Sequence, residues 1–291
     1  SHSMLRSSRD DGKVADKGPR LDAGEEVEAA DWFDQSKQPV VISAEDGIQL
    51  HGWLFDPDCA GAKLHLYAIC CHGYSGQPQD MAKYAHRFAR LGFTVLVPAL
   101  RGHGLSEGRY AGMGWLDRRD LMRWISLIIS SDADARILLQ GKSMGAAAVM
   151  MTVGEPDLPR NVVAAVEDCG YASVVQQFID CARSMFHLPK FLAKPIVTTM
   201  GAIAQRRAGY GFQEASCVEQ LKHATIPMLF IHGGADDFVP SRALDENFDA
   251  CASIDRQKLL IPSAGHSMSA STAPVVYWKT VTNFVTRVFG L

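Results

Sequence analysis

The sequence predicts an α/β fold: a mostly parallel, eight-stranded sheet with helices on both faces and a helical cap insertion. Two observations predict it. Short β-branched or apolar runs alternate with helix-length stretches through most of the chain. One stretch, about residues 171–224, breaks that alternation with helical material alone.

The apolar runs are residues 39–43, 50–55, 64–71, 94–97, 137–140, 162–167, 228–232 and 258–261. The first two follow each other without a helix and read as an antiparallel lead-in hairpin. Helix-length stretches occupy 78–90, 115–130, 144–154, 242–252 and 273–289. In the first of these, Met81, Tyr84, Ala85, Phe88 and Ala89 recur at helical spacing and form one stripe to bury. The 171–224 insertion carries Phe178, Met185, Phe186, Leu188, Phe191 and Leu192, interrupted by Pro189 and Pro195. It reads as a cap over the carboxyl edge of the sheet, where ligands bind in open α/β folds. Lys194 and Pro195 exclude reading it as a membrane span.

Apolar residues make up 47% of the 291-residue chain, enough to bury a full core in one domain over residues 29–291. The formal net charge is −3 and no Lys/Arg block stands out, which argues against a nucleic-acid or anionic-membrane binder. Cysteines stand at 59, 70, 71, 169, 181, 217 and 251. Seven is odd, and Cys70–Cys71 lie within an apolar run, so reduced and mostly buried thiols are expected rather than a disulfide framework. No Cys/His spacing suggests a zinc site, and neither metal nor organic cofactor is expected. Ser1-His2-Ser3-Met4 reads as a cloning remnant, and residues 1–28 as a flexible, charged, Gly-rich tail. No leader or spanning helix is visible, so a cytoplasmic protein is expected, unless a leader or anchor has been removed.

Gly-x-Ser-x-Gly occurs twice, as Gly104-Leu-Ser106-Glu-Gly108 and Gly141-Lys-Ser143-Met-Gly145. Chance alone gives roughly 0.15 matches in such a chain, so flanking structure must decide. A nucleophile elbow needs a strand entering the turn and a helix leaving it. Ser143 has both, in Arg136-Ile-Leu-Leu-Gln140 and Ala146-Ala-Ala-Val-Met-Met151. Ser106 has neither and reads as an exposed loop serine.

A serine hydroxyl needs a base, and imidazole, with its ordinary pKa near neutrality, suits that work. His266 follows the last apolar run within a Ser/Gly-rich loop; His72, His103 and His232 also sit near strand ends. The base needs a carboxylate to fix its tautomer. Asp236 and Asp237 directly follow the 228–232 run, and Asp168 follows 162–167. Either of the first pair is also placed to cap the helix beginning near Ser241. Acyl transfer further needs N–H donors for the developing oxyanion. The backbone N–H of Met144, next after Ser143, is one candidate, and that of Tyr74, in Cys71-His-Gly-Tyr-Ser75, is the other. His72 is read as ordering that loop. Tyr74, Phe178, Phe186 and Phe238 are candidates to line an acyl pocket.

These segments, with Arg101-Gly-His-Gly-Leu-Ser-Glu-Gly108, Gly112-Met-Gly-Trp-Leu-Asp117, Glu167-Asp-Cys-Gly-Tyr171 and His232-Gly-Gly-Ala-Asp236-Asp-Phe-Val-Pro240, resemble bacterial α/β-hydrolases of the esterase and serine-aminopeptidase-like group. The resemblance runs from about Trp32 to Phe289. It implies the α/β-hydrolase fold, with Ser143 as nucleophile, Asp236 rather than Asp237 as acid, and His266 as base. Where relatives often carry Asp before Leu-Arg-Gly-His-Gly, this chain has Ala99. The expected function is a carboxylesterase acting on small to medium acyl or aryl esters, as a monomer or homodimer. An amidase or peptidase on the same residues, with Arg183, Arg206 or Arg207 holding a peptide terminus, is the second reading. A non-catalytic binding protein is the third. Dehalogenase or epoxide-hydrolase chemistry would want Asp where Ser143 stands.

Overall fold

The computed structural model describes residues 19–61 and 63–291, except the side chains of Met185, Phe186 and Lys190. Most of the expected tail, with the four residues expected to be a cloning remnant, lies outside the described residues. Its last part is not tail: a helix α1 runs from Ala23 to Ser36. Ala29 and Phe33, one turn apart, give α1 a buried edge, and Glu25 and Glu26 suit its N-terminal turn. Sequence reasoning missed it because its partners are distant in the chain. Trp32 stacks on Phe55 and His86 at 4.8 and 4.7 Å, Arg87 holds Glu25, and Arg90 meets Glu28 at 2.9 Å.

After α1 come β1 (Gln38–Ser43), β2 (Gln49–Phe55) and β3 (Leu66–Cys71), then α2 (Ala82–Arg90), β4 (Thr94–Pro98) and α3 (Trp115–Ser131). β5 (Arg136–Lys142), α4 (Met144–Val153) and β6 (Val162–Asp168) follow, then α5 (Val174–Phe186), α6 (Lys190–Ala208) and α7 (Cys217–Leu221). The chain ends with β7 (Met228–Gly233), α8 (Arg242–Ala250), β8 (Arg256–Ile261), α9 (Ser269–Thr272) and α10 (Pro274–Phe289). The eight strands form one sheet in the order β1-β2-β4-β3-β5-β6-β7-β8. β1 and β2 pair antiparallel as the lead-in hairpin, β2 pairs antiparallel with β4, and every later pair is parallel. This is the α/β-hydrolase fold.

The central strands read as unbroken apolar runs because both of their faces are covered. In β5, Ile137 and Leu139 join Leu121, Trp124 and Val149 in one core layer, while Leu138 joins Phe88, Tyr277 and Phe284 in the other. Parallel pairing brings the carboxyl ends to one edge: Cys71 pairs with Gly141, Lys142 with Asp168, and Gly233 with Ile261.

Residues 171–224 hold α5, α6 and α7, and an antiparallel bridge between Ser173 and Ser216 ties the two ends together. Both serines cap the helices they precede, each Oγ accepting a backbone N–H at 3.2 Å. All seven cysteines are free thiols, six of them buried, with Cys59 exposed. Among the described residues no helix is long and apolar enough to cross a membrane.

Candidate active site

β5 enters and α4 leaves at Ser143, whose φ of 56° and ψ of −118° are strained for a residue with a side chain. The turn is held by Ser143 N–H donating to the Asp168 carbonyl at 2.8 Å and by Ala147 N–H donating back to the Ser143 carbonyl at 3.0 Å. Close approach makes the flanking glycine obligatory, since a Cβ on Gly145 would overlap the carbonyl oxygens of Cys71 and His72. Gly145→Ala is therefore expected to lose about 3 kcal/mol or more of stability, a fall in Tm on the order of 10 °C. Calorimetry checks this; an unchanged Tm would contradict the tight elbow.

The structure brings Ser143, His266 and Asp236 together. His266 Nε2 lies 2.9 Å from Ser143 Oγ, and His266 Nδ1 lies 2.8 Å from Asp236 Oδ2. All three are buried, and the Phe238 ring packs against the imidazole with centroids 5.0 Å apart. Asp236 Oδ1 accepts the backbone N–H groups of Phe238 at 3.0 Å and Val239 at 2.8 Å, so the carboxylate cannot rotate freely. His232 Nε2 donates to the Val239 carbonyl at 2.9 Å and also lies 3.4 Å from Asp236 Oδ2. Burial alone would raise the Asp236 pKa; hydrogen bonds and charge from His232 and His266 outweigh it and hold the carboxyl at about 2. Asp236 is thus an anion accepting the Nδ1 proton of His266, which leaves Nε2 to face the serine hydroxyl.

The other candidates part from this group. Asp237 is exposed. Asp168 gives Ser143 its carbonyl, while its carboxyl is buried and burial pushes its pKa up. His72 is buried, donates from Nδ1 to the Gly73 carbonyl at 2.8 Å and accepts the Leu100 N–H at Nε2 at 3.1 Å. Burial, then the neighbouring His103, lowers its pKa to about 3, so it is a neutral, loop-ordering group. His103 bonds the carbonyls of Arg101 and Tyr74. Ser106 is not the exposed serine expected: it is fully buried, its hydroxyl donating to the Ala99 carbonyl at 2.6 Å and accepting the His51 N–H at 2.9 Å. It ties the loop after β4 to β2.

The loop after β3 abuts the serine, for a Cβ on Gly73 would stand 3.7 Å from Ser143 Oγ. Tyr74, the next residue, lines the same cavity. Met144 supplies the first N–H of α4, which has no acceptor within the helix. The cavity is about 260 Å³ and is lined by Ser143, His266, Tyr74 and Phe238, together with Lys142, Gln79, Asp80, Lys83, Glu26 and Arg20. Its far wall is therefore charged and comes partly from α1. Lys83 there is neutralised by Asp22 and by Glu26 at 3.2 Å, and it also donates to Ser271 Oγ at 2.8 Å. Phe178 does not line this cavity: it is buried in the core, stacked on Phe212 at 4.8 Å. The Phe186 side chain lies outside the described residues. The charged wall was missed with α1 itself; Ala29 and Phe33 at helical spacing behind Glu25-Glu26 were the available signal.

The donor atoms of Cys169, Asp236 and His266 lie within 4.8 Å of one another, the one such group of three among the described residues. Cys169, at a φ of 53°, bonds Ser267 Oγ at 3.5 Å, and burial, then the charge of Asp168, pushes its thiol well up. A protonated thiol and a carboxylate already hydrogen-bonded to the imidazole fit a proton relay better than a metal ligand set.

Glu167, at the end of β6, is fully buried, and burial raises its pKa from 4.5 to about 8, more than the nearby His232 and the Gly170 N–H lower it. A folded-state pKa above the unfolded one means the native chain holds the proton longer, so stability is full below about 4.5 and falls as pH rises toward 8. Glu167→Gln is expected to flatten the fall in Tm between those limits. An unchanged pH profile in the variant would contradict it.

A model of the serine aminopeptidase S33 family matches residues 64–206. The uncharacterized protein YqkD of Bacillus subtilis is 26% identical over 255 residues, covering 87% of this chain and 81% of YqkD. The esterase Pf2001 of Pyrococcus furiosus superposes with a TM-score of 0.72 at 19% identity, covering 99% of each chain. An alpha-beta serine hydrolase homologue from Coxiella burnetii superposes with a TM-score of 0.59 at 17% identity, covering 84% of this chain and 96% of that one. At these identities the structural likeness is one of fold.

Proposed function

We propose that the chain is a serine hydrolase of the α/β-hydrolase superfamily, cleaving small carboxylic esters through an acyl-enzyme. The observation that carries this reading is the continuous relay Asp236–His266–Ser143, with spacings of 2.8 and 2.9 Å, opening on a cavity. Ser143 Oγ attacks the ester carbonyl while His266 Nε2 takes its proton; Asp236 holds the tautomer and stabilises the imidazolium. The N–H groups of Met144 and Tyr74 face the oxyanion. The imidazolium then protonates the leaving alkoxide. Water, activated by the same base, releases the acid and restores Ser143.

A cavity of about 260 Å³ with a charged far wall supports short acyl groups over long chains. The insertion holding α5, α6 and α7 is the proposed cap. The test is turnover of p-nitrophenyl acetate against the octanoate and against acetyl-p-nitroanilide. The proposal expects kcat/KM highest for the acetate and lowest for the anilide. Dominant anilide cleavage would favour the amidase reading instead, and no turnover of any substrate by folded protein would overturn both.

A further inference from the structure

Helix α6 is amphipathic in reverse. Its small residues Ala193, Val197, Gly201 and Ala204 are the buried ones, with Gly201 facing Phe212. Its large apolar residues point to solvent: Phe191 is 75% exposed, Leu192 and Ile196 each 46%, and Ile203 42%. At 3.6 residues per turn, Leu192, Ile196, Thr199 and Ile203 fall on one stripe, with Phe191 at its amino end. A helix packed only for its own domain would turn these side chains inward, and a contiguous exposed apolar stripe marks a docking surface.

Charge identifies the partner. From Cys181 to Gln213 the chain has five cations, Arg183, Lys190, Lys194, Arg206 and Arg207, and no Asp or Glu. The whole chain carries −3, so the basic character is local to this insertion and averages out of the composition. Lys194, Arg206 and Arg207 are exposed, and among the described residues neither the Lys194 nor the Arg206 side chain has a hydrogen-bond or ion-pair partner. Arg206 stands three residues on from Ile203, and Lys194 three residues on from Phe191, so each cation is a helical neighbour of one large apolar side chain. That pairing on an exposed helix matches an interfacial helix, whose apolar face enters the acyl boundary while its cations meet lipid phosphates. A second copy of this chain fits less well, because pairing α6 with α6 would set these cations against one another.

The geometry points to α6 as a docking surface for an anionic lipid bilayer, on which the protein lies peripherally without spanning it. This uses none of the residues assigned to the ester reaction and stands apart from that proposal.

Flotation of the full chain with phosphatidylcholine vesicles, with and without phosphatidylglycerol, tests it. Binding is expected with the anionic vesicles and not with phosphatidylcholine alone, and added salt should weaken it. Phe191→Ser/Ile196→Ser and, separately, Lys194→Glu/Arg206→Glu should each lower the partition coefficient about tenfold or more. Both double variants should retain soluble-ester turnover and Tm. Failure of wild type to float with anionic vesicles would overturn the inference. So would equal binding to both vesicle types, or a solution dimer by light scattering that Phe191→Ser/Ile196→Ser dissociates.

Discussion

Ser143→Ala is expected to fold normally and to lose ester turnover by a factor of about 10⁶, the scale seen when the nucleophile of such a relay is removed. The backbone cause of the elbow lies in Gly145 and in the bonds of Ser143 N–H and C=O, none of which the substitution touches. What disappears is the Oγ that faces His266 Nε2 at 2.9 Å. A small residual rate over water is expected from the Met144 and Tyr74 N–H groups, which remain in place. Steady-state hydrolysis with a matched melting curve decides it. A loss of less than about tenfold would mean that another group attacks the ester.

Asp236→Asn is expected to cost about 10⁴ in kcat, and the structure gives the reason. Oδ1 is fixed by the N–H groups of Phe238 and Val239, so the amide of Asn must put its oxygen there. Its NH₂ then occupies the Oδ2 position, 2.8 Å from His266 Nδ1 and 3.4 Å from His232 Nε2. An amide donor forces Nδ1 of His266 to accept, which moves the ring proton to Nε2, where it blocks proton transfer from Ser143. The same NH₂ confronts the N–H of His232. Unchanged KM with collapsed kcat is the expected pattern, and a wild-type kcat would show that Asp236 does not set the tautomer.

The sheet was legible because strands covered on both faces appear as apolar runs such as Ile137-Leu-Leu139, whatever their partners. Ser143, Asp236 and His266 could be named as candidates because each follows such a run, and parallel pairing gathers those ends; the family resemblance separated Asp236 from Asp237. α1 was not legible. Its ion-pair partners Lys83, Arg87 and Arg90 lie about sixty residues on, and an acidic, Gly-containing segment looks like tail until they are placed beside it. Phe178 misled for a related reason: periodicity shows that a helix has an apolar stripe, not what the stripe meets, and here it meets Phe212. In α6 the apolar stripe faces outward and the alanines inward, a choice that sequence spacing leaves open. Ser106 shows the converse, since a polar loop gave no hint that its hydroxyl would be buried against Ala99 and His51.

The central claim is that the Ser143 hydroxyl, driven by His266, forms a covalent acyl-enzyme. Reaction with a fluorophosphonate, in which Oγ displaces fluoride from phosphorus, followed by peptide mass mapping, tests it most directly. The account predicts a single adduct on the peptide containing Ser143, formed rapidly in wild type, far more slowly in His266→Ala and never in Ser143→Ala. An adduct on the Ser106 peptide, or ester turnover persisting after complete modification of Ser143, would contradict it.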